Sequence, residues 1–502
     1  MSDFFLSLLI AGALSGQTDS APFWQTANQY GLMPRSSGAV TILRMGQPYD
    51  CSKTLQWHWG ASLGVRSDAF AKGQVLPDEA YAGLKWRCLS LDAGLTRREQ
   101  DYLAASSTLG TLSTTAGNII WSGNARTVPG CTLELHPVAF PWTHGRLRFF
   151  GRFGDYWTTD ARDVSGALIH NTALSAQVDI GSRLTATVGF DHYAMWGGTS
   201  PLFGRMSTSF ANYIRTVLCM PAASDTEGYS DGDVLNVIGN HIGRELLRLD
   251  WKGEGWSLSF QHDIPYEDRS GMRFENFPDG VNTLCLTLED KDCLVSRVVL
   301  EHQSTMWQSG TCERRPASDE EAASHNPNVS YNSERGIYEY IAGGNDNYFN
   351  NYEYRSGWTS YGAPIGNPLF FPKGTFGRSF RPDEICYGVE NNRLRAFHLG
   401  LSGKLFRKLP YKFLLTSSWN YGIYASALYT GVIAEFKDRY GVNQRPLRQF
   451  STGFQCEIPL CGGSLELIPG LFLDRGSVLP TNFSATLGLR YSLPSPRFPY
   501  KG

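Results

Sequence analysis

Four stretches of the chain place aromatic rings beside amide and charged side chains. They are Phe23–Tyr30, Asp191–Trp196, His262–Asp279 and Asn345–Trp358. Sugars expose C–H faces and hydroxyl groups, so flat aromatic rings next to hydrogen-bonding groups suit them. The candidate carbohydrate-binding residues are Trp24, Asn28, Tyr30, Asp191, His192, Trp196, His262, Asp268, Arg273, Asn276, Asp279, Asn345 and Trp358. Each has a structural alternative, because Trp and Tyr also form membrane girdles and Asp191 with His192 would suit an internal hydrogen-bond pair.

Two of these candidates have distinct expected roles. Arg273 suits acidic sugars, since a planar guanidinium binds a carboxylate through two parallel hydrogen bonds. Trp358 lies in a segment rich in Asn and Tyr and is the expected stacking platform. Single contacts of this kind are weak, and a repeating polymer would add them through multivalency.

The sequence gives no support for catalysis. Gly60–Gly64 reads GASLG and matches the G-x-S-x-G nucleophile elbow, but that motif needs a strand-to-helix turn and here lies inside an alternating strand. No H-E-x-x-H, Walker A or C-x-x-C motif occurs. A carboxylate pair for glycoside cleavage is recognised by its spatial separation, which sequence does not supply. We therefore expect a protein that is not an enzyme, with no cofactor and no metal site.

The composition suits a chain with a lipid-facing band and a wet interior. Charged residues make up 18% of the 502 residues and aromatic residues 13%, with 53 glycines; soluble domains carry roughly 25% charged residues. The mean hydropathy is nonetheless negative, which argues against a bundle of apolar helices. A net charge of -2 gives no argument for nucleic acid as a partner. This combination is typical of a transmembrane β-barrel.

Alternation with a period of two recurs along the chain and predicts the barrel strands. Clear runs are Leu55–Arg66, Arg183–Trp196, Phe397–Leu405, Tyr411–Tyr421 and Phe483–Leu493. A soluble β-sandwich also alternates, but a stack of sandwiches would show breaks in composition, and none is seen. The pattern favours an antiparallel outer-membrane β-barrel.

The last run also predicts which way its side chains point. Leu487, Leu489 and Tyr491 should face lipid, while Thr486 and Arg490 should face the lumen, because lipid takes the apolar face of a barrel strand.

The start of the chain is its longest apolar run. Phe4–Leu14 reads FFLSLLIAGAL, too short for a transmembrane helix and followed by small residues. We expect residues 1–16 to be a signal peptide, although no Lys or Arg precedes the run; the alternative is a buried N-terminal helix. The expected organisation continues with a segment at 17–50 leading into the barrel, the barrel at 51–493 and a tail at 494–502.

One insert between strands has helical spacing. Phe210, Ile214, Val217 and Leu218 would share one helix face, and a second short helix is expected at Val234–Ile238. We predict that this insert, at about 209–240, packs its apolar face against the barrel end and closes it as a plug. Long loops are expected at about 314–336 and 343–372.

At these stretches the chain resembles the Wzi-type capsule-assembly proteins over nearly its whole length. The matching segments, in order, are Ala21–Gly31, Trp121–Gly130, Pro141–Trp157, Gly189–Gly198, Ile238–Gly243, Gln261–Gly280, Asn345–Phe370 and Arg395–Leu405. The resemblance implies an 18-stranded outer-membrane barrel plugged by helices and loops. It further implies a lectin that binds and anchors exported capsular or surface polysaccharide and supports capsule assembly. The implied partners are that polysaccharide, outer-membrane lipid and the capsule export machinery.

Two other functions stay open at this point. One is an oligosaccharide-permeable porin, which differs from an anchoring protein in having an open lumen. The other is a barrel enzyme acting on lipid or glycan, which would need a nucleophile or carboxylate pair that the sequence does not reveal.

Overall fold

The computed structural model describes most of the chain. It leaves out residues 1–3, 18–19, 51, 98–104, 107–108, 223–232, 234–236, 268–273, 310–312, 325–328, 333–335, 343–345, 376–387, 424–445 and 494–502.

Eighteen antiparallel strands form one closed barrel. They are β1 Phe5–Ser15, β2 Gly38–Gln47, β3 Leu55–Ser67, β4 Gln74–Trp86, β5 Leu89–Leu95, β6 Gly130–Ala139, β7 Leu147–Trp157, β8 Leu168–Ile180, β9 Leu184–Trp196, β10 Asn240–Lys252, β11 Trp256–Glu267, β12 Gly280–Leu288, β13 Arg297–Ser304, β14 Leu394–Leu405, β15 Leu409–Asn420, β16 Leu447–Cys456 with its continuation Ile458–Leu460, β17 Leu465–Gly476 and β18 Asn482–Ser492. The five alternating runs of the sequence all lie on these strands, so the predicted barrel is confirmed.

The two ends of the barrel differ in the length of their connections. At one end strands are joined by short turns, such as residues 87–88, 181–183, 253–255 and 406–408. The other end carries the long connections 16–37, 96–129, 197–239 and 305–393. In outer-membrane barrels the short turns face the periplasm and the long loops face outward. Hereafter the two are the short-turn end and the loop end.

The outer wall is apolar, as lipid requires. Side chains exposed on it include Ile10, Leu63, Leu174, Val188 and Leu247. Exposed tryptophans form a girdle at the short-turn end, namely Trp57, Trp86, Trp142, Trp251 and Trp256. An apolar band bordered by aromatic rings is the outer surface of a membrane-spanning barrel.

The predicted orientation of β18 is confirmed. Leu487, Leu489 and Tyr491 are exposed on the outer wall. Thr486 and Arg490 line the lumen.

The structure does not support a signal peptide at residues 1–16. Phe5–Ser15 is strand β1, which pairs with β2 on one side and with β18 on the other and so closes the barrel. Removing this segment would leave two unpaired strand edges in lipid, which a membrane barrel does not tolerate. The barrel therefore begins at Phe5 and not at residue 51. The predicted tail at 494–502 lies outside the described residues.

The helical insert is present but lies elsewhere than predicted. Helix α2, Phe210–Val217, contacts β8 and β9; the short helix α1, Phe23–Thr26, precedes it in the chain. The buried side chains of α2 are Asn212 and Thr216, whereas Phe210, Ile214 and Leu218 are exposed. The prediction that the apolar face of α2 packs against the barrel end is therefore wrong. Because α2 lies on the outside of the barrel, its apolar face turns toward lipid. Of the predicted second helix, residues 234–236 lie outside the described part of the chain.

Helix α2 lies on the outer wall at the loop end. Tyr213 donates a hydrogen bond of 2.9 Å to Asp155 on β7, and its ring lies 5.5 Å from that of Trp196 on β9. His170 of β8, whose ring is 5.6 Å from Tyr213, is fully buried beneath it. The helix thus covers polar side chains that point out of the barrel. None of the helices in the described part of the chain is long and apolar enough to span a membrane.

The predicted long loops also differ from one another. Around residues 314–336 the described residues form a small antiparallel sheet, Glu313–Pro316, Val329–Asn332 and Ile337–Ala342, with helix α3 at Asp319–Ala323. Of the loop expected at 343–372, the described residues 346–372 fold into the barrel.

Candidate functional site

Two chain segments fill the loop-end half of the lumen. They are called here the first plug segment, residues 110–128, and the second plug segment, residues 346–372. With α1 they supply 15 of the 33 residues of a single buried cluster of apolar side chains, and the barrel wall and other loops supply the rest. Its largest fully buried members from the second plug segment are Tyr348, Phe349, Tyr354, Trp358 and Phe370. Loops and not helices therefore close this part of the barrel.

The inward side chains of the barrel wall hold the first plug segment by its backbone. Glu301 accepts hydrogen bonds from Ser113 Oγ at 2.5 Å and from Thr114 N at 2.8 Å. Asp263 accepts from the backbone N–H of Ile119 at 2.9 Å. Because buried backbone groups away from regular structure need partners, these carboxylates fix the fold of the segment.

Two glycines allow the plug to lie close to its neighbours. A Cβ at Gly400 on β14 would stand 2.2 Å from the carbonyl oxygen of Leu112. A Cβ at Gly366 in the second plug segment would stand 2.1 Å from that of Ile119. Both distances are shorter than any real contact, so the backbones approach only because these residues are glycines.

A cavity of about 2020 Å³ remains in the lumen. At the short-turn end it is lined by Tyr49, Asp50 and Lys291. Along the wall formed by β2–β5 it reaches Tyr30 and Arg97, at the loop end. The cavity therefore occupies the short-turn half of the lumen, where residues of most strands line it, and extends along β2–β5 toward the loop end beside the plug.

Charge in the cavity is mixed, with an excess of basic groups. Ten arginines and lysines line it against five aspartates and glutamates. Many are paired: Arg44 with Glu79 at 2.6 Å, Arg152 with Glu134 at 3.1 Å, and Arg490 with Glu466 at 2.6 Å. A guanidinium has five N–H donors, and one carboxylate occupies at most two.

One cluster near the short-turn end combines aromatic faces with charge. The rings of Tyr49 and His58 stack at 3.8 Å, and both residues hydrogen-bond Asp92. The ammonium of Lys85 lies 5.8 Å from the centre of the Tyr49 ring. Tyr81 lies beside His58, with ring centres 5.0 Å apart. Burial, and then the charge of Asp92, raises the pKa of Tyr49, so this phenol stays neutral.

A second cluster lies near the loop end of the same wall. Arg97 forms a two-bond ion pair with Asp78, at 3.0 and 2.6 Å, and its guanidinium covers the ring of Tyr30 at 4.1 Å. A β-bulge in β4 makes this pair: the register shifts so that Asp78 and Glu79 are both buried on the inner side.

Four of the sequence-predicted site residues meet in this cavity. Trp24, Asn28, Tyr30 and Asp191 all line it. Trp24 is nevertheless held by the barrel, since its Nε1 donates to Thr416 Oγ1 at 3.1 Å. Asp191 also has partners, accepting from Asn171 at 2.8 Å and from Tyr193 at 3.0 Å.

Three more of the predicted residues point out of the barrel. His192 and Trp196 lie on β9 and are buried on the outer wall. His262 lies on β11, with its ring 6.0 Å from that of Phe277. These three residues do not reach the lumen.

Two others, Asn276 and Asp279, are packed inside the loop end. Asn276 donates to Asp346 at 2.6 Å and to the Tyr348 hydroxyl at 2.8 Å. Asp279 accepts from the backbone of Trp307 and Gln308 at 2.8 and 2.7 Å, and burial raises its pKa to about 6.

Trp358 is not the expected stacking platform. Its side chain is fully buried, and its Nε1 donates to the carbonyl of Ile120 at 2.8 Å. The rings of Tyr193 and Trp121 lie 5.4 and 6.0 Å away. A ring enclosed on all sides presents no face to a sugar, so its role here is to pack the plug. Asp268, Arg273 and Asn345 lie outside the described residues.

The prediction missed most of the cavity lining, including Tyr49, His58, Arg97 and Lys85. A signal was present, because inward residues are the polar members of each alternating run. His58, for example, is a polar member of the run Leu55–Arg66.

Comparisons with known proteins agree on the fold. No family model matches the chain, and no curated protein sequence matches it. Among solved structures it is similar to Wzi of Escherichia coli, described as an outer-membrane protein involved in group 1 capsule assembly and a carbohydrate-binding β-barrel. That likeness has a TM-score of 0.54 at 13% identity and covers 97% of this chain and 84% of Wzi.

Weaker likenesses exist to OccK3 (OpdO) and OprD of Pseudomonas aeruginosa. The TM-scores are 0.45 and 0.44, at 10% and 11% identity, with 98% of this chain covered in both and 96% and 95% of the other chain. Scores this low carry no argument about function. The closed cylinder, its apolar outer wall and the likeness to Wzi together show that the chain is an 18-stranded β-barrel of the outer membrane.

Proposed function

We propose that this barrel binds acidic surface polysaccharide, of the capsular kind, and holds it at the outer membrane without altering it chemically. The observation that carries the proposal is the part of the cavity along β2–β5, where Tyr30, Tyr49 and Tyr81 lie among arginine and lysine side chains. Aromatic faces bind the C–H side of a sugar ring, and basic groups bind its carboxylates. A supporting role in capsule assembly, with the export machinery as partner, belongs to the same proposal.

The arrangement favours a polymer over a small sugar. The Tyr49 and Tyr30 clusters lie at opposite ends of the cavity, so a single sugar would contact only one of them. A chain with repeating charges would contact both, and the contributions would add. The likeness to Wzi, itself described as carbohydrate-binding, supports the same ligand class.

The test is binding of the host's own surface polysaccharide to the purified full-length barrel, with neutral dextran for comparison. The cavity variant is Tyr49→Leu with Lys85→Gln. A matched control makes the same two kinds of change away from the cavity, Tyr491→Leu on the outer wall and Arg183→Gln in a short turn. An aromatic contact and an exposed charge contribute about 1 kcal/mol each, so the cavity variant should bind at least about tenfold more weakly.

Salt should weaken binding by the native barrel as well, because the ligand's charge is screened. Equal affinity of the cavity variant, the control variant and the native protein would refute the lumen as the binding site.

An oligosaccharide-permeable channel is the second candidate, favoured by the extent of the same cavity from the short-turn end to Arg97. Planar-bilayer conductance separates the two. A plugged anchoring barrel should show little conductance, whereas a channel should show steady current that oligosaccharides block.

A further inference from the structure

Three potential metal ligands meet on the outer wall near the loop end. His192 lies on β9, His241 on β10 and Cys219 two residues after α2. The two histidines point away from the lumen, since His192 lies four residues after Val188, which is exposed on the outside. Each histidine is only 2% exposed, covered by the segment that follows α2. The site is separate from the cavity that carries the proposed function.

The ligand atoms are close together. His192 Nε2 lies 2.8 Å from His241 Nδ1 and 3.6 Å from Cys219 Sγ. One ligand atom from each residue lies within 4.8 Å of the others.

The hydrogen bond of the other ring nitrogen fixes the tautomer of His241. Its Nε2 lies 2.8 Å from the carbonyl oxygen of Ile238, which only accepts, so Nε2 carries the proton. In the neutral ring Nδ1 therefore carries a lone pair, which accepts the hydrogen bond from His192 Nε2–H. A histidine that ligates a metal commonly donates its second ring N–H to a backbone carbonyl in this way.

The backbone of Cys219 is held in an unfavourable conformation. Its φ is 52°, in the left-handed region, at a helix C-terminus where glycine is the usual residue. Hydrogen bonds from Cys219 N to Thr216 O and from Met220 N to Arg215 O hold this turn. A side chain is disfavoured in this conformation relative to glycine. The turn places the Cys219 thiol beside His192.

We propose that His192, Cys219 and His241 form a zinc site. Zinc binds histidine nitrogen at about 2.0–2.1 Å and thiolate sulfur at about 2.3 Å, in tetrahedral geometry. Such a site separates sulfur from nitrogen by about 3.6 Å and two nitrogens by about 3.3 Å. The Cys219–His192 distance already has this value, and the two imidazoles need to move apart by about 0.5 Å. Cys219 Sγ and the His241 nitrogen, within 4.8 Å of each other, need to approach by at most about 1.2 Å.

Zinc binding releases a proton to solvent. The Cys219 thiol releases its proton to water, and the proton on His192 Nε2 moves through solvent to Nδ1 of the same ring. His192 Nε2, His241 Nδ1 and the Cys219 thiolate then bind Zn²⁺, and a water molecule completes the fourth position. Cys219 is only partly buried, so the ion can enter from its side. The bound ion would fasten the end of α2 to two strands of the wall.

The three residues of this site do not form a recognised zinc-binding motif in the sequence. Cys219 is 27 residues from His192, and the two histidines are 49 residues apart. Those separations match no zinc spacing, which is why the sequence led to the expectation of no metal.

The experiment uses the full-length barrel in detergent with a thiol-protecting reductant, stripped by chelator and then titrated with Zn²⁺ and with Co²⁺. We expect one equivalent of zinc per barrel by elemental analysis and a thiolate-to-cobalt charge-transfer band. Cys219→Ser and His241→Gln should each weaken zinc binding by at least about tenfold and abolish or shift that band. The matched controls are Cys131→Ser, another free cysteine, and His302→Gln, an outer-wall histidine on β13, which should bind as the native protein does.

Heat-modifiable mobility on a gel checks that each variant is a folded barrel. Cys219 lies outside the strands, so Cys219→Ser should remain folded even if the histidine variant does not. The proposal is overturned if the native barrel takes up no stoichiometric zinc, or if folded Cys219→Ser binds zinc as tightly as the native protein. An unchanged cobalt spectrum in Cys219→Ser would overturn it equally.

Discussion

Replacing Trp358 by alanine should open the plug without dismantling the barrel. Trp358 belongs to the second plug segment, hydrogen-bonds Ile120 in the first and packs against Tyr193 on the wall. Trp358 thus joins the two plug segments and the barrel wall through one hydrogen bond and through ring contacts. None of the strand-to-strand hydrogen bonds that close the barrel involves it.

The magnitude follows from burial and from the hydrogen bond. Truncating a fully buried tryptophan to alanine costs about 3–5 kcal/mol. Trp358→Phe keeps most of the ring but leaves the Ile120 carbonyl without its donor, a cost of about 1–3 kcal/mol. Because every 1.4 kcal/mol is about a factor of ten, the alanine variant should raise the population of open plug by about 10² to 10⁴.

Planar-bilayer recording measures that population as the frequency and duration of open events. The order should be Trp358→Ala above Trp358→Phe above the native protein. Trp142→Ala, which removes an exposed tryptophan from a short turn, is the matched control and should behave as the native protein does. An inserted, heat-modifiable Trp358→Ala barrel whose conductance equals that of the native protein would show that Trp358 does not hold the plug closed.

Three further predictions concern the wall and the loop end. Leu489→Arg should destabilise the barrel in lipid vesicles by about 2–4 kcal/mol, with Leu489→Ala as control; an equal unfolding free energy for the two would place Leu489 away from lipid. A probe attached at position 210 should be quenched by lipid-soluble and not by water-soluble agents, because Phe210 is turned away from the wall; the reverse would contradict the position of α2. Burial, and then the neighbouring Asp233, raises the pKa of Glu353 to about 9. In the folded state Glu353 keeps a proton that it would release above about pH 4.5 in the unfolded chain. The Glu353–Asp233 hydrogen bond is therefore stable at low pH and weakens as the pH rises toward 9. Glu353→Gln keeps a donor for Asp233 and should remove this dependence in hydrogen exchange of residues near 353, and persistence of the same pH profile in the variant would exclude Glu353 as its source.

The strands were predictable because lipid and lumen impose opposite chemistry on alternate residues. In β18 the sequence shows this directly, with Leu487 and Leu489 on one face and Thr486 and Arg490 on the other. Strand β1 escaped prediction because its inner face is also apolar. Leu9 and Ala11 pack with Leu32, Val40 and Leu76 inside the barrel. Without alternation, the segment read as a signal peptide.

The site was only partly predictable, because burial and the direction of a side chain depend on contacts between distant segments. Trp358 and Tyr30 both lie in aromatic, amide-rich stretches. One is enclosed by the plug, whereas the other faces the cavity. Helix α2 was recognised from its spacing, but spacing does not reveal whether its apolar face meets protein or lipid.

The pairing of β1 with β18 has a consequence for how the chain folds. Ser7 and Ser492 are register partners although they lie near opposite ends of the chain. Every other strand of the barrel pairs with the strands before and after it in sequence, so the sheet can grow by adding hairpins. The β1–β18 pairing must overcome the entropy cost of closing a loop of almost the entire chain, and contacts at such sequence separation form slowly. We therefore expect the β1–β18 pairing to form last, so that the edges of these two strands hold the last backbone donors and acceptors to find partners.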